Sequence, residues 1–145
     1  MRKIIRILLS IIISIILSLA IYYGVNANGL TTKLYGYTTL IVSSGSMQPE
    51  LMVGDVIIIK ECDSYNENDI ITFNVDNQYL VTHRIIEKNE NHYITKGDNN
   101  NSADDNIVLE EQIEGKLIHN SKVLKFIYNN WILVILAIVV LLIIF

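Results

Sequence analysis

The chain has 145 residues and a formal net charge of −4, which leaves room for one domain of ordinary size. Hydrophobic residues make up 51% and mean hydropathy is +0.38, high for a soluble protein, so part of the apolar content is expected to face lipid. The acidic balance with no basic stripe excludes a nucleic-acid partner, and the single cysteine, Cys62, excludes an intramolecular disulfide and a cysteine-built zinc site.

The first element is apolar. Residues 7–23 run without a charge, long enough for a helix of about 25 Å at 1.5 Å per residue, and a transmembrane helix is predicted over 4–23. Arg2, Lys3 and Arg6 precede it, whereas the ten residues after Tyr23 carry only Lys33. The excess of positive charge before the span places the N-terminus in the cytoplasm and the following residues outside. The competing reading is a cleaved signal peptide, because Val25-Asn26-Ala27 resembles a small-residue cleavage site; the apolar run is longer than the usual h-region of about 7–15 residues.

Residues 31–125 have the composition of a small, mainly β domain. LYGYTTLIV reads as a strand entering the loop SSGSMQPEL, and VGDVIIIKE as a strand leaving it, with Gly54-Asp55 turning the chain. DIITFN and QYLVTHRIIEK flank Val75-Asp76-Asn77 and form a predicted hairpin; a second hairpin turns at residues 89–91 and returns through HYITKGD. Imperfect alternation in VIIIK points to strands covered on both faces. After the polar loop 99–106, LEEQIEGKLIHN reads either as a closing strand or as a short helix. The chain ends in a second apolar segment whose continuous part, 131–145, spans only about 22 Å as a helix and reaches a full crossing when 126–130 are included. The expected architecture is an all-β domain tethered by a transmembrane helix at each end, 4–23 and 126–145.

Small hydroxyl residues around a glycine ordinarily mean a turn, so Ser43, Ser44, Gly45 and Ser46 become interesting only with a base. Of the three histidines, His83 lies inside the predicted strand LVTHRII, where a rigid element can aim it, while His92 sits in a polar hairpin and His119 near the second apolar segment. Their spacing makes no zinc site. The acids cluster in TKGDNNNSADD, which taken alone reads as an Asx-rich turn or a weak cation site. Serine, histidine and aspartate occur in an order that nucleophilic catalysis uses, but order alone does not bring them together.

SGSMQP, VTHRI and KGDNNNSADD, in this order after an N-terminal apolar segment, resemble the boxes of the ER-type signal peptidase I family, in its SipW-like branch found in bacteria and archaea. The resemblance covers residues 35–117 and includes MVGDVIIIK. It implies a membrane-bound serine endopeptidase that removes signal peptides from exported preproteins and accepts small side chains at the first and third positions before the cut. Ser46 is the implied nucleophile, and His83 the implied base where the typical bacterial signal peptidase I has a lysine. Asp98 is the implied first acid, and counting from it places the second at Asp104, with Asp105 adjoining as the alternative. The backbone N–H of Ser46 and the Ser44 hydroxyl are candidates to hold the oxyanion. No cofactor or metal is expected. The implied partners are preproteins, the lipid bilayer and contacts with secretion machinery, at a bacterial or archaeal plasma membrane rather than in the ER, with the β domain extracytoplasmic. Rival readings are an inactive paralogue, a non-enzymatic membrane assembly or binding subunit, and a serine–lysine self-cleaving repressor-like protease, for which no lysine stands in place of His83.

Overall fold

The computed structural model of the protein describes residues 11–16, 35–76 and 78–144. Thr31–Lys122 forms one compact unit, and Met1–Leu30 with Val123–Phe145 the other. In the first unit the five expected strand segments form β1 (Tyr37–Ile41), β2 (Val56–Lys60), β3 (Ile70–Val75), β4 (Tyr79–Lys88) and β5 (Tyr93–Lys96), and the segment left open between strand and helix supplies β6 (Ile113–Asn120). They make a single antiparallel sheet in the order β1-β2-β6-β3-β4-β5.

Local chemistry accounts for the turns. Gly54 takes a φ of +81°, and the chain is closed around it by Gly54 N–H donating to the Val42 carbonyl at 2.8 Å. Asp55 is buried and its Oδ2 accepts from the Met52 N–H (3.0 Å) and Asn120 Nδ2 (2.7 Å), which joins the turn to the end of β6. Between β3 and β4 Asp76 sits at φ +52°, a left-handed conformation that aspartate tolerates at a turn; Asn77, the third residue of that expected turn, lies outside the described residues. The ambiguous segment LEEQIEGKLIHN contains both elements that it suggested. Glu110–Gln112 is one turn of 3-10 helix, where Gln112 Oε1 accepts from the Leu109 N–H at 2.8 Å, and β6 comes directly after it.

β6 is a central strand, paired with β2 on one side and β3 on the other, and consecutive, opposite-facing residues of both flanking strands are buried, so both faces of those strands are covered. In β2 Val56, Ile57 and Ile59 are buried, and in β3 Ile70, Ile71, Thr72 and Phe73 are. That is the physical reason their alternation is imperfect. Two apolar clusters result. Leu40, Met47, Leu51, Ile57, Ile59 and Ile70 pack beneath the serine loop; Tyr65, Ile71, Phe73, Ile85, Tyr93, Val108 and Ile113 pack beneath the acid loop.

In the other unit, residues 11–16 are helical, with Ile11, Ile12, Ile13, Ile15 and Ile16 exposed; the rest of the expected span 4–23 lies outside the described residues. The C-terminal segment divides into α1 (Lys122–Asn129) and α2 (Trp131–Ile144) instead of one helix over 126–145. Asn130 stands at the division, where its backbone N–H (3.0 Å) and its side-chain Nδ2 (2.9 Å) both donate to the Phe126 carbonyl, a side chain competing for a backbone acceptor. α2 alone is about 21 Å long. Among the described residues no helix is long and apolar enough to cross a membrane.

Candidate active site

The loop after β1 holds Ser46 at the surface by burying its neighbours further along the chain. Met47 and Leu51 are 2% and 1% exposed, inside the cluster with Ile57 and Ile59, while Ser46 between loop and core is half-buried. The Leu51 N–H donates to the Met47 carbonyl (2.9 Å) and the Gln48 N–H to the Gly45 carbonyl (3.2 Å), so the backbone coils tightly around the serine. Fully burying two large apolar side chains stabilises this anchor by about 1.5–3 kcal/mol each. Ser46 Oγ lies 3.2 Å from Ser44 Oγ.

His83 comes from the middle of β4, opposite Ile71 of β3. The two-residue period of the strand turns His83 and Ile85 inward and Arg84 to the other face. His83 is 8% exposed, its ring is edge-on to Phe73 with ring centroids 6.5 Å apart, and its Nδ1 is 2.7 Å from Asp104 Oδ2. An ionised carboxylate is an acceptor only, so Nδ1 carries the hydrogen in that bond and the neutral ring leaves Nε2 free to accept a proton.

Asp104 is itself held twice by one residue of β5. Its N–H donates to the Thr95 carbonyl at 2.9 Å, and Thr95 Oγ1 donates to its Oδ2 at 2.6 Å. Asp105, next in the chain, is exposed. Asp98 points elsewhere: its two carboxylate oxygens accept from Arg84 Nε (2.9 Å) and Nη2 (2.7 Å), and Arg84 Nη1 also donates to the Asn68 carbonyl. The hydrogen bond to Asp98 holds the Arg84 guanidinium above its already high ordinary pKa, against the opposing effect of desolvation. The structure thus brings His83 and Asp104 together and places Asp98 with the neighbouring arginine.

Ser46 and His83 line the same cleft, about 410 Å³, whose floor is apolar and includes Leu40, Val42, Met47 and Ile57. Ser44 lines it as well. The arrangement places a hydroxyl and an oriented imidazole on the lining of one cleft.

Three further residues hold the site: Gly97 and Asn99 lie inside the KGDNNNSADD box, where the resemblance implies no role for them, and Thr95 lies just before it. Asn99 binds the serine loop from the acid loop, its N–H donating to the Ser46 carbonyl (2.8 Å) and its Nδ2 to the Gly45 carbonyl (3.2 Å). Gly97 is where the two loops approach: a Cβ there would stand 2.7 Å from the Ser46 carbonyl oxygen. Thr95 is a polar residue fully buried between Tyr93 and the acid loop, and period-two alternation counted from Tyr93 is the signal that could have found it. Gly97→Ala is expected to push on Ser46 directly. A displacement near 1 Å at a reacting group costs about 10²-fold in rate. The check is turnover of the folded variant beside wild type; turnover within a factor of two would show that the contact does not position Ser46.

The chain is similar in sequence to known proteins. Residues 25–118, well over half of the chain, match the family model described as Peptidase S24-like. The chain is 39% identical over 97 residues to Signal peptidase I W of Bacillus subtilis (strain 168), covering 62% of this chain and 51% of the relative. It is 28% identical over 81 residues to Signal peptidase complex catalytic subunit SEC11 of Saccharomyces cerevisiae (strain YJM789), covering 51% of this chain and 48% of the relative. The chain spans about half the length of the curated relatives it matches, and the resemblance to signal peptidases read from its three boxes is borne out. With the serine loop, the strand histidine and the acid loop all inside the matched residues, the chain belongs to the Peptidase S24-like family.

Proposed function

We propose that the protein is a membrane-tethered serine endopeptidase that cleaves signal peptides from exported preproteins. The observation that carries this reading is the shared cleft: Ser46 and His83 line it together, and Asp104 binds the imidazole through its other nitrogen. Ser46 Oγ attacks the scissile carbonyl while His83 Nε2 takes its proton. The resulting imidazolium is stabilised by Asp104, and the developing oxyanion accepts from the Ser46 N–H and the Ser44 hydroxyl. His83 then returns the proton to the leaving amine, and the same nitrogen activates the water that releases the acyl group from Ser46. Asp98 acts one step further out, tying the acid loop to β4 through Arg84. The apolar floor of the cleft suits the short side chains before the cut. Among the described residues no lysine lines this cleft, so a serine–lysine mechanism has no base there.

The tethers belong to the same proposal. The uncharged run 7–23 behind Arg2, Lys3 and Arg6, and the apolar segment 126–145, support a multi-pass plasma-membrane protein with residues 31–125 extracytoplasmic, within reach of the secretion machinery. Cys62 reports on this, because it is the single thiol and is partly exposed. A membrane-impermeant thiol reagent is expected to label it in intact cells; labelling only after lysis would overturn the orientation.

The test of the activity is direct. The full chain in detergent micelles, incubated with a signal-peptide-bearing preprotein, should yield a mature product whose new N-terminus comes just after small residues at the first and third positions before the cut. A panel of such preproteins left intact would sink the proposal.

A further inference from the structure

A second cleft, about 960 Å³, adjoins the first across His83. Its volume is at the upper end of the range of about 300–1,000 Å³ typical of ligand sites. Tyr79, Val81, His83 and Asn100 line both clefts, whereas Ser46 lines only the apolar one. The charged side chains facing the larger cleft are Asp76, Asp104 and Asp105, with no lysine or arginine among its lining residues.

We infer that this polar cleft binds the part of the substrate beyond the cut, the first residues of the mature protein, and selects for basic side chains there. The inference rests on the proposed peptidase activity. In acyl transfer the carbonyl side of the scissile bond must lie against the nucleophile, and the leaving amine must lie against the imidazole that protonates it. Ser46 belongs to the apolar cleft, so the segment before the cut occupies that cleft. The chain after the cut then continues past His83, and the space on that side is the acidic cleft. Asp104 is committed to His83 and Thr95. Asp76 and Asp105 are exposed, the first held at the β3–β4 turn and the second in the acid loop, and both face whatever enters the cleft. Lysine or arginine in the mature segment meets opposite charge there, and glutamate meets like charge.

The experiment uses the full chain in detergent and three preproteins that are identical through the cut. They differ at the second to fourth residues after it, which are lysine, glutamine or glutamate. Exposed ion pairs give about 1.4- to fivefold each, and glutamate adds repulsion where lysine adds attraction at two aspartates, so the lysine preprotein should exceed the glutamate one about tenfold in kcat/KM at low salt. The ratio should shrink toward one as salt screens the exposed charges. The combined Asp76→Asn and Asp105→Asn variant should keep its rate on the glutamine preprotein within about twofold and lose the preference, and each single variant should lose part of it. Equal cleavage of the three preproteins by wild type, or a preference that survives in the double variant, overturns the inference alone. Failure to cut even the glutamine preprotein overturns the peptidase reading and this inference with it.

Discussion

Ser46→Ala is expected to leave the protein folded and to remove preprotein cleavage almost entirely. The loop is held without its hydroxyl: Met47 and Leu51 anchor it in the core, and Asn99 grips the Gly45 and Ser46 carbonyls. Oγ itself bonds only to Ser44 Oγ among the described residues, so its loss falls in the range of about ±0.5 kcal/mol usual for surface changes. Chemistry loses far more. In a characterised serine protease, removing the nucleophile costs about 2 × 10⁶ in turnover, leaving only the contribution of substrate binding and oxyanion donors. Ser44→Ala separates those parts, since losing one oxyanion donor costs about 10²–10³ in turnover. The measurements are thermal unfolding of each variant and product formation from one preprotein. A folded Ser46→Ala protein that cuts at a tenth of the wild-type rate would place the nucleophile elsewhere.

The second large effect is at the acid loop, where two neighbouring aspartates should behave differently. Asp104→Asn is expected to lower turnover by about 10²–10⁴-fold. If the amide nitrogen turns toward His83 Nδ1, the ring takes the wrong tautomer, which in a characterised protease cost about 10⁴; if the amide oxygen does, the tautomer survives but the imidazolium loses its countercharge. Asp105→Asn should stay within about twofold on a preprotein with a neutral mature segment, because that side chain is exposed and His83 is engaged by its neighbour. Thr95→Val removes the hydroxyl that donates to Asp104 Oδ2 and should give an intermediate loss. Rates for all three variants on one preprotein decide the matter. An inactive Asp105→Asn beside a nearly normal Asp104→Asn would exchange their roles.

The fold itself is legible wherever local signals suffice. Strand segments stand out by β-forming residues and turn chemistry, as in Gly54-Asp55 and the hairpin before β4, because turns are specified by a few neighbouring residues. The segment LEEQIEGKLIHN is ambiguous between strand and helix because its first residues satisfy their own turn and its last ones need partners from distant strands. Its place at the centre of the sheet depends on pairing with β2 and β3, which no local signal encodes. The C-terminal segment shows the opposite case: its hydropathy predicts one helix, and the side chain of Asn130 competes for the Phe126 carbonyl where α1 gives way to α2.

By itself the sequence determined the residue types of the site, a serine in a small-residue loop, a histidine on a strand and aspartates in a polar loop, because those types are set by chemistry. It also determined the strand nature of 37–41 through 93–96 and the family resemblance. Only the tertiary structure decided which groups meet. Asp98 and Asp104 lie six residues apart in one loop, yet one carboxylate faces Arg84 and the other His83, because adjacent residues of β4 point to opposite faces of the sheet. The contact of Gly97 and Asn99 with the Ser46 loop is likewise tertiary, since it joins segments some fifty residues apart and rests on a close backbone approach rather than on any local pattern.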